Sequence, residues 1–147
     1  ADSSVGSGTN SKQAEAMRSR AGALSELGAA EFARQRSPLL VAEAAPKQVI
    51  DEVERLFADS VRMPSYQWAC NSMAETDHRD SLASIVVPTL VVCGDEDRVT
   101  PPKLSQELAE GIKGSTLAYV KGAGHLANQE HPADFNDIVA RFAKSLT

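Results

Sequence analysis

Cysteine is scarce: Cys70 and Cys93 are the two among 147 residues. They are too few for a disulfide framework and lack the Cys-x-x-Cys spacing of a zinc site, so reduced structural thiols are expected. His78, His125 and His131 are equally unsuited to a metal, with no His-x-x-x-His pair among them. Neither a metal nor another cofactor is expected. Lys and Arg number 15 against 20 Asp and Glu, for a net charge of −5 without a basic cluster. That balance argues against nucleic acid and anionic membrane surfaces as partners. No apolar run approaches the roughly 18 residues of a membrane span, and nothing at the start resembles a signal peptide. A cytoplasmic location is the expectation. Ordinary apolar and charged content marks a globular chain rather than a disordered one.

The last third carries the chemistry. Pro88-Thr89-Leu90-Val91-Val92-Cys93 is a continuous apolar run rich in β-branched residues, the pattern of a parallel strand covered on both faces. Gly94 permits a tight turn, and Pro101 or Pro102 opens a helix through Leu104, Leu108 and Ile112. Asp97 therefore falls on a strand-to-helix loop, where sheets of this class gather functional groups. A second strand, Ser115–Val120, leads into Gly122-Ala123-Gly124-His125, and Pro132 opens a final helix bearing Phe135, Ile138, Val139 and Phe142. Glycines beside His125 let its ring approach a neighbouring loop.

Residues 9–80 have helical periodicity and no convincing strand. Helices are predicted over Lys12–Leu27 and Ala29–Gln35, from Pro46 through Val49, Ile50, Val53, Leu56 and Phe57, and from Ser65 towards Glu75. Ser3–Ser11 reads as a flexible Gly/Ser linker.

The segments PTLVVCGDEDRVTPP and GAGHLANQEHPADFN resemble the C-terminal end of α/β-hydrolase-fold enzymes, most closely the 3-oxoadipate enol-lactonase-like group. The specific motifs cover residues 81–147; residues 9–80 are only loosely similar to the family's helical cap. The resemblance implies an α/β fold in which residues 1–8 end a core strand and lead into a linker. Residues 9–80 then form a helical cap, and residues 81–147 contribute two parallel core strands with flanking helices.

The family order of nucleophile, acid and base makes Asp97 the acid and His125 the base of a catalytic triad. Asp95, with a turn role favoured, and Asp2, because some relatives place the acid after the sixth strand, are the rival acids. Turn-forming or helix-capping use is the competing account of Asp97. Glu96 and Arg98 are expected to be solvated loop charges. Glu130 is ascribed to the dipole of the following helix and His131 to structure, with His78 exposed. Trp68, Met63, Tyr66 and Phe32 are candidate pocket walls, with ordinary packing the commoner fate of such residues.

The Gly-x-Ser-x-Gly elbow of serine hydrolases is absent. Val5-Gly6-Ser7-Gly8-Thr9 has one residue too few between its glycines and no strand before it. The expectation is the C-terminal half of a hydrolase of carboxylic esters or lactones, inactive by itself. Its partner is either an N-terminal half bearing the nucleophile or a further copy of the chain covering the exposed sheet edge. The alternatives are a non-catalytic binding or assembly module on the same fold, or a carbon–carbon bond hydrolase.

Overall fold

The computed structural model describes residues 4–146. Its first half is helical. Helix α1 (Ser11–Arg36) begins where the Asn10 side chain accepts hydrogen bonds from the Lys12 and Gln13 N–H groups, satisfying two of the donors that a helix start leaves unpaired. At Gly28, φ 74° and ψ 165° break the helix. This backbone region is essentially closed to residues with a Cβ, and it separates α1 into the two limbs predicted from periodicity.

Helices α2 (Lys47–Ser60) and α3 (Ser65–Glu75) complete this layer. Ala14 and Met17 of α1, three residues apart on one face, pack against Cys70 and Ala74 of α3. Beyond the break, Phe32 meets Phe57 and Tyr66 edge-on, with ring centroids 5.8 and 5.5 Å away. Edge-to-face pairs of this kind add about 0.5–1.5 kcal/mol beyond simple burial. Phe32 is thus core, while Trp68 is 66% exposed.

Two parallel strands follow, β1 (Leu90–Gly94) and β2 (Thr116–Val120), joined by helix α4 (Pro102–Gly111). Short helix α5 (Ala127–Glu130) and helix α6 (Pro132–Lys144) close the chain. On one face of the sheet Val92, Val120, Ala123 and Ala127 pack with Phe135 and Ile138; on the other, Ile112 and Leu108 meet Leu82 and Val5. The architecture is the C-terminal part of an α/β-hydrolase fold. Register is what positions the site. Gly94 pairs with Val120, so both strands end level and the loops that follow leave the same edge side by side.

The segment expected to be a flexible linker is packed where it is described. Val5 is 2% exposed, its carbonyl accepts from the His78 N–H, and the Gly8 N–H donates to the Thr76 carbonyl. One valine among polar residues leaves no periodic trace, so its burial is decided by the surfaces of Leu82 and Ile112. No helix among the described residues is long and apolar enough to cross a membrane.

Candidate active site

The loop after β1 is closed by Asp97, whose N–H donates to the Gly94 carbonyl. Its carboxylate is buried and fully used. Oδ1 accepts from the Val99 N–H at 2.8 Å and the Thr100 N–H at 2.9 Å. Oδ2 accepts from the Thr100 hydroxyl at 2.9 Å and from His125 Nδ1 at 2.9 Å. Loop closure and imidazole orientation are therefore compatible uses of one side chain, assigned to different oxygens. Burial pushes the Asp97 carboxyl towards its protonated form, but the His125 hydrogen bond and then the Thr100 N–H outweigh it, holding the group below the usual aspartate range.

An ionised carboxylate only accepts, so Nδ1 of His125 carries the hydrogen and Nε2 is left as the basic nitrogen. The partners of His125 among the described residues are Asp97 and Thr100, the latter at 3.2 Å. The imidazole borders a cavity of about 190 Å³ whose wall includes Met17, Arg20, Arg36, Leu40 and Met73. Trp68, Met63, Tyr66 and Phe32 are not in that wall. Tyr66 and Phe32 are used in the aromatic cluster of the helical layer instead.

Several contacts hold the two loops together. Asp95 Oδ1 accepts from the Gly122 N–H at 2.6 Å, and the Glu96 N–H donates to the Ala123 carbonyl at 2.9 Å. Asp95 thus fastens loop to loop, and among the described residues the hydrogen-bond partners of the His125 ring are Asp97 and Thr100. Asp2, the other rival acid, lies outside the described residues. A Cβ on Gly94 would collide with the carbonyl oxygens of Ala123 and Gly124, so the close approach of the loops requires glycine there.

Arg98 and Glu130 have partners that the sequence does not suggest. Arg98 is exposed, as expected of a solvated charge, yet its Nη2 also donates to the carbonyls of Pro38 at 2.9 Å and Val41 at 3.0 Å. Glu130 was ascribed to a helix dipole, but its two oxygens accept from the Ala42 N–H at 2.7 Å and the Gly124 N–H at 2.8 Å. The peptide group joining Val41 to Ala42 is therefore gripped on its carbonyl by the acid loop and on its N–H by the residue that braces the histidine loop. Leu126 adds a third tie through its N–H to the Leu40 carbonyl.

Sequence reasoning also overlooked Thr100. Its spacing from Asp97, three residues on, is that of a side chain–backbone turn and was the available signal. Glu130 offered none, because its partners are backbone groups, one of them 88 residues away. Among the described residues no group of three or more His, Cys, Asp or Glu side chains converges as a metal site would require.

An acid and an imidazole brought together by loops at one end of a parallel sheet is the arrangement of the α/β-hydrolase class. The chain belongs to the Alpha/beta hydrolase family, whose pattern it matches over residues 4–138. It is 33% identical over 115 residues to the AB hydrolase superfamily protein YisY of Bacillus subtilis (strain 168), covering 68% of this chain and 43% of that protein. It is 31% identical over 134 residues to 3-oxoadipate enol-lactonase 2 of Acinetobacter baylyi, covering 90% of this chain and 50% of that one. Among solved structures, a thermophilic esterase from Thermogutta terrifontis superposes with a TM-score of 0.80 at 25% identity, over 92% of this chain and 51% of the esterase. The chain spans about half the length of these relatives.

Proposed function

We propose that this chain supplies the acid and the base of a serine hydrolase that acts on carboxylic esters or lactones. The observation that carries this reading is the 2.9 Å contact between Asp97 Oδ2 and His125 Nδ1, made by a carboxylate whose other oxygen is fixed by two backbone N–H groups. In this reading His125 Nε2 takes the proton of a serine hydroxyl as it attacks the acyl carbon. It passes that proton to the departing alcohol and then activates the water that releases the acid. Asp97 holds the tautomer and stabilises the imidazolium. The similarity to an enol-lactonase over 90% of the chain and to an esterase structure supports the substrate class.

The chain carries no Gly-x-Ser-x-Gly elbow. The nucleophile and oxyanion donors are assigned to an N-terminal half of the same enzyme, and the isolated chain is assigned no turnover. Residues 9–80 are taken as the cap over the site and residues 81–147 as core. A cytoplasmic setting suits Cys70 and Cys93, both buried free thiols.

The test is to join the chain to a complementary serine-bearing half and follow hydrolysis of a phenyl ester. Asp97→Asn is expected to lower kcat by about 10⁴-fold and His125→Ala by about 10⁶-fold, the losses known for the acid and the base of a triad. Turnover undiminished in either variant would remove that residue from its role.

A further inference from the structure

Asp97 holds the His125 ring by one atom, Nδ1, and a single contact fixes a distance without fixing where Nε2 points. The aim of the ring depends on where its own backbone sits. Both neighbours of His125 are tied to the segment that joins α1 to α2: Leu126 directly, through its N–H on the Leu40 carbonyl, and Gly124 through Glu130. The Glu130 side chain is half-buried, and each of its oxygens accepts one N–H from a buried residue, Gly124 on Oε1 and Ala42 on Oε2. Hydrogen bonds to an ionised acceptor are about twice as strong as neutral ones.

The same two pieces of backbone also touch. A Cβ on Gly124 would collide with the Ala42 nitrogen and the Val41 carbonyl carbon, so the histidine loop lies flat against residues 41 and 42. Glu130 spans that contact and fastens its two sides. A displacement of the segment would therefore carry Gly124 with it, and the ring would turn about its one remaining hold on Asp97. Misplacement by about 1 Å is enough to cost about 10²-fold in rate.

We propose that Glu130 is a positioning residue for the base and that Leu40–Ala42 is the anchor it works against, so that the helical layer aims the imidazole as well as roofing it. This rests on the hydrolase reading for what His125 does, but the first test needs no turnover. The ring nitrogens of His125 are followed by 15N NMR in the 147-residue chain, at a pH where imidazole is neutral. The native ring is expected to hold its hydrogen on Nδ1. In Glu130→Gln one oxygen remains to serve two N–H donors, and the amide NH2 faces the second of them. That ring is expected to exchange between the Nδ1–H and Nε2–H tautomers, while slow amide exchange in the β1–β2 ladder shows that the core is intact. Glu130→Asp, which keeps the charge but is one methylene shorter, should fall between the two. Phe57→Ala unpacks the aromatic cluster of the helical layer, and it should lower stability without mixing the tautomers.

After joining to a serine-bearing half, Glu130→Gln should lower kcat by about 10- to 10²-fold with KM within about twofold, the signature of a group that acts on the transition state. A native ring already divided between tautomers would overturn the proposal. So would a Glu130→Gln ring identical to the native one, equal mixing in Phe57→Ala, or an unaltered kcat in Glu130→Gln. A ring that loses its tautomer in Glu130→Gln, in a chain that hydrolyses no ester even when joined, keeps the positioning role and loses only the hydrolase reading.

Discussion

Asp97 illustrates how much one buried side chain does when its two oxygens face different directions. Four donors converge on it, and removing one leaves the remainder to hold an anion in a site with little water. Thr100→Val deletes the hydroxyl that donates to Oδ2 while leaving the Thr100 N–H on Oδ1. Loss of a hydrogen bond to a charged acceptor is expected to cost about 1.5–3 kcal/mol, read from urea unfolding at neutral pH. The acid titration follows from the same contacts. Because the folded carboxyl titrates below the unfolded value of about 3.9, its contribution to stability is complete above that pH. It drains as pH falls through the lower folded value. The stability gap between the native chain and Asp97→Asn should therefore narrow as pH falls below about 4, as measured by denaturation at stepped pH. A gap that widened as pH fell below about 4 would contradict the direction of the shift.

Loops are set by elements, and here by one brace in particular. Glu130 closes α5 and joins two segments far apart in sequence, the Ala42 N–H and the Gly124 N–H. Glu130→Ala would strand both donors. With each unsatisfied buried donor costing about 1–3 kcal/mol, a loss of several kcal/mol is expected, with faster amide exchange at Ala42 and Gly124 before any at the β1–β2 ladder. Unaltered exchange at both amides would show that the brace is dispensable. The proline starts, the β-branched strand and the glycine after it were legible locally, because each constrains its own backbone. The short helix α5 and the 3-10 helix over Arg79–Ser84 were not, since pieces so short carry at most two turns of periodicity.

At the scale of the molecule, a sheet of two strands is marginal in water unless something continues it. Apolar surface lies open near it: Val86 is 89% exposed, Val87 64% and Tyr119 38%. The chain by itself is expected to self-associate, and co-expression with a serine-bearing half to yield one complex of higher Tm. Size exclusion with light scattering decides it, and a stable lone monomer would refute the expectation.

Local pattern placed Asp97 and His125 on loops that follow apolar strands, because an apolar run ending at a glycine and a histidine set among glycines are statements about neighbouring residues; the resemblance to a known family then singled the two out as acid and base. The level ending of β1 and β2, the grip of Arg98 and Glu130 on the Val41–Ala42 peptide, the burial of Val5 and the meeting of Arg20 and Arg36 in one cavity wall were decided only by the tertiary structure. The physical reason is that each joins groups dozens of residues apart, or turns a helix back on itself at one glycine. Their partners are largely backbone atoms and apolar surfaces, whose positions exist only once the layers have packed.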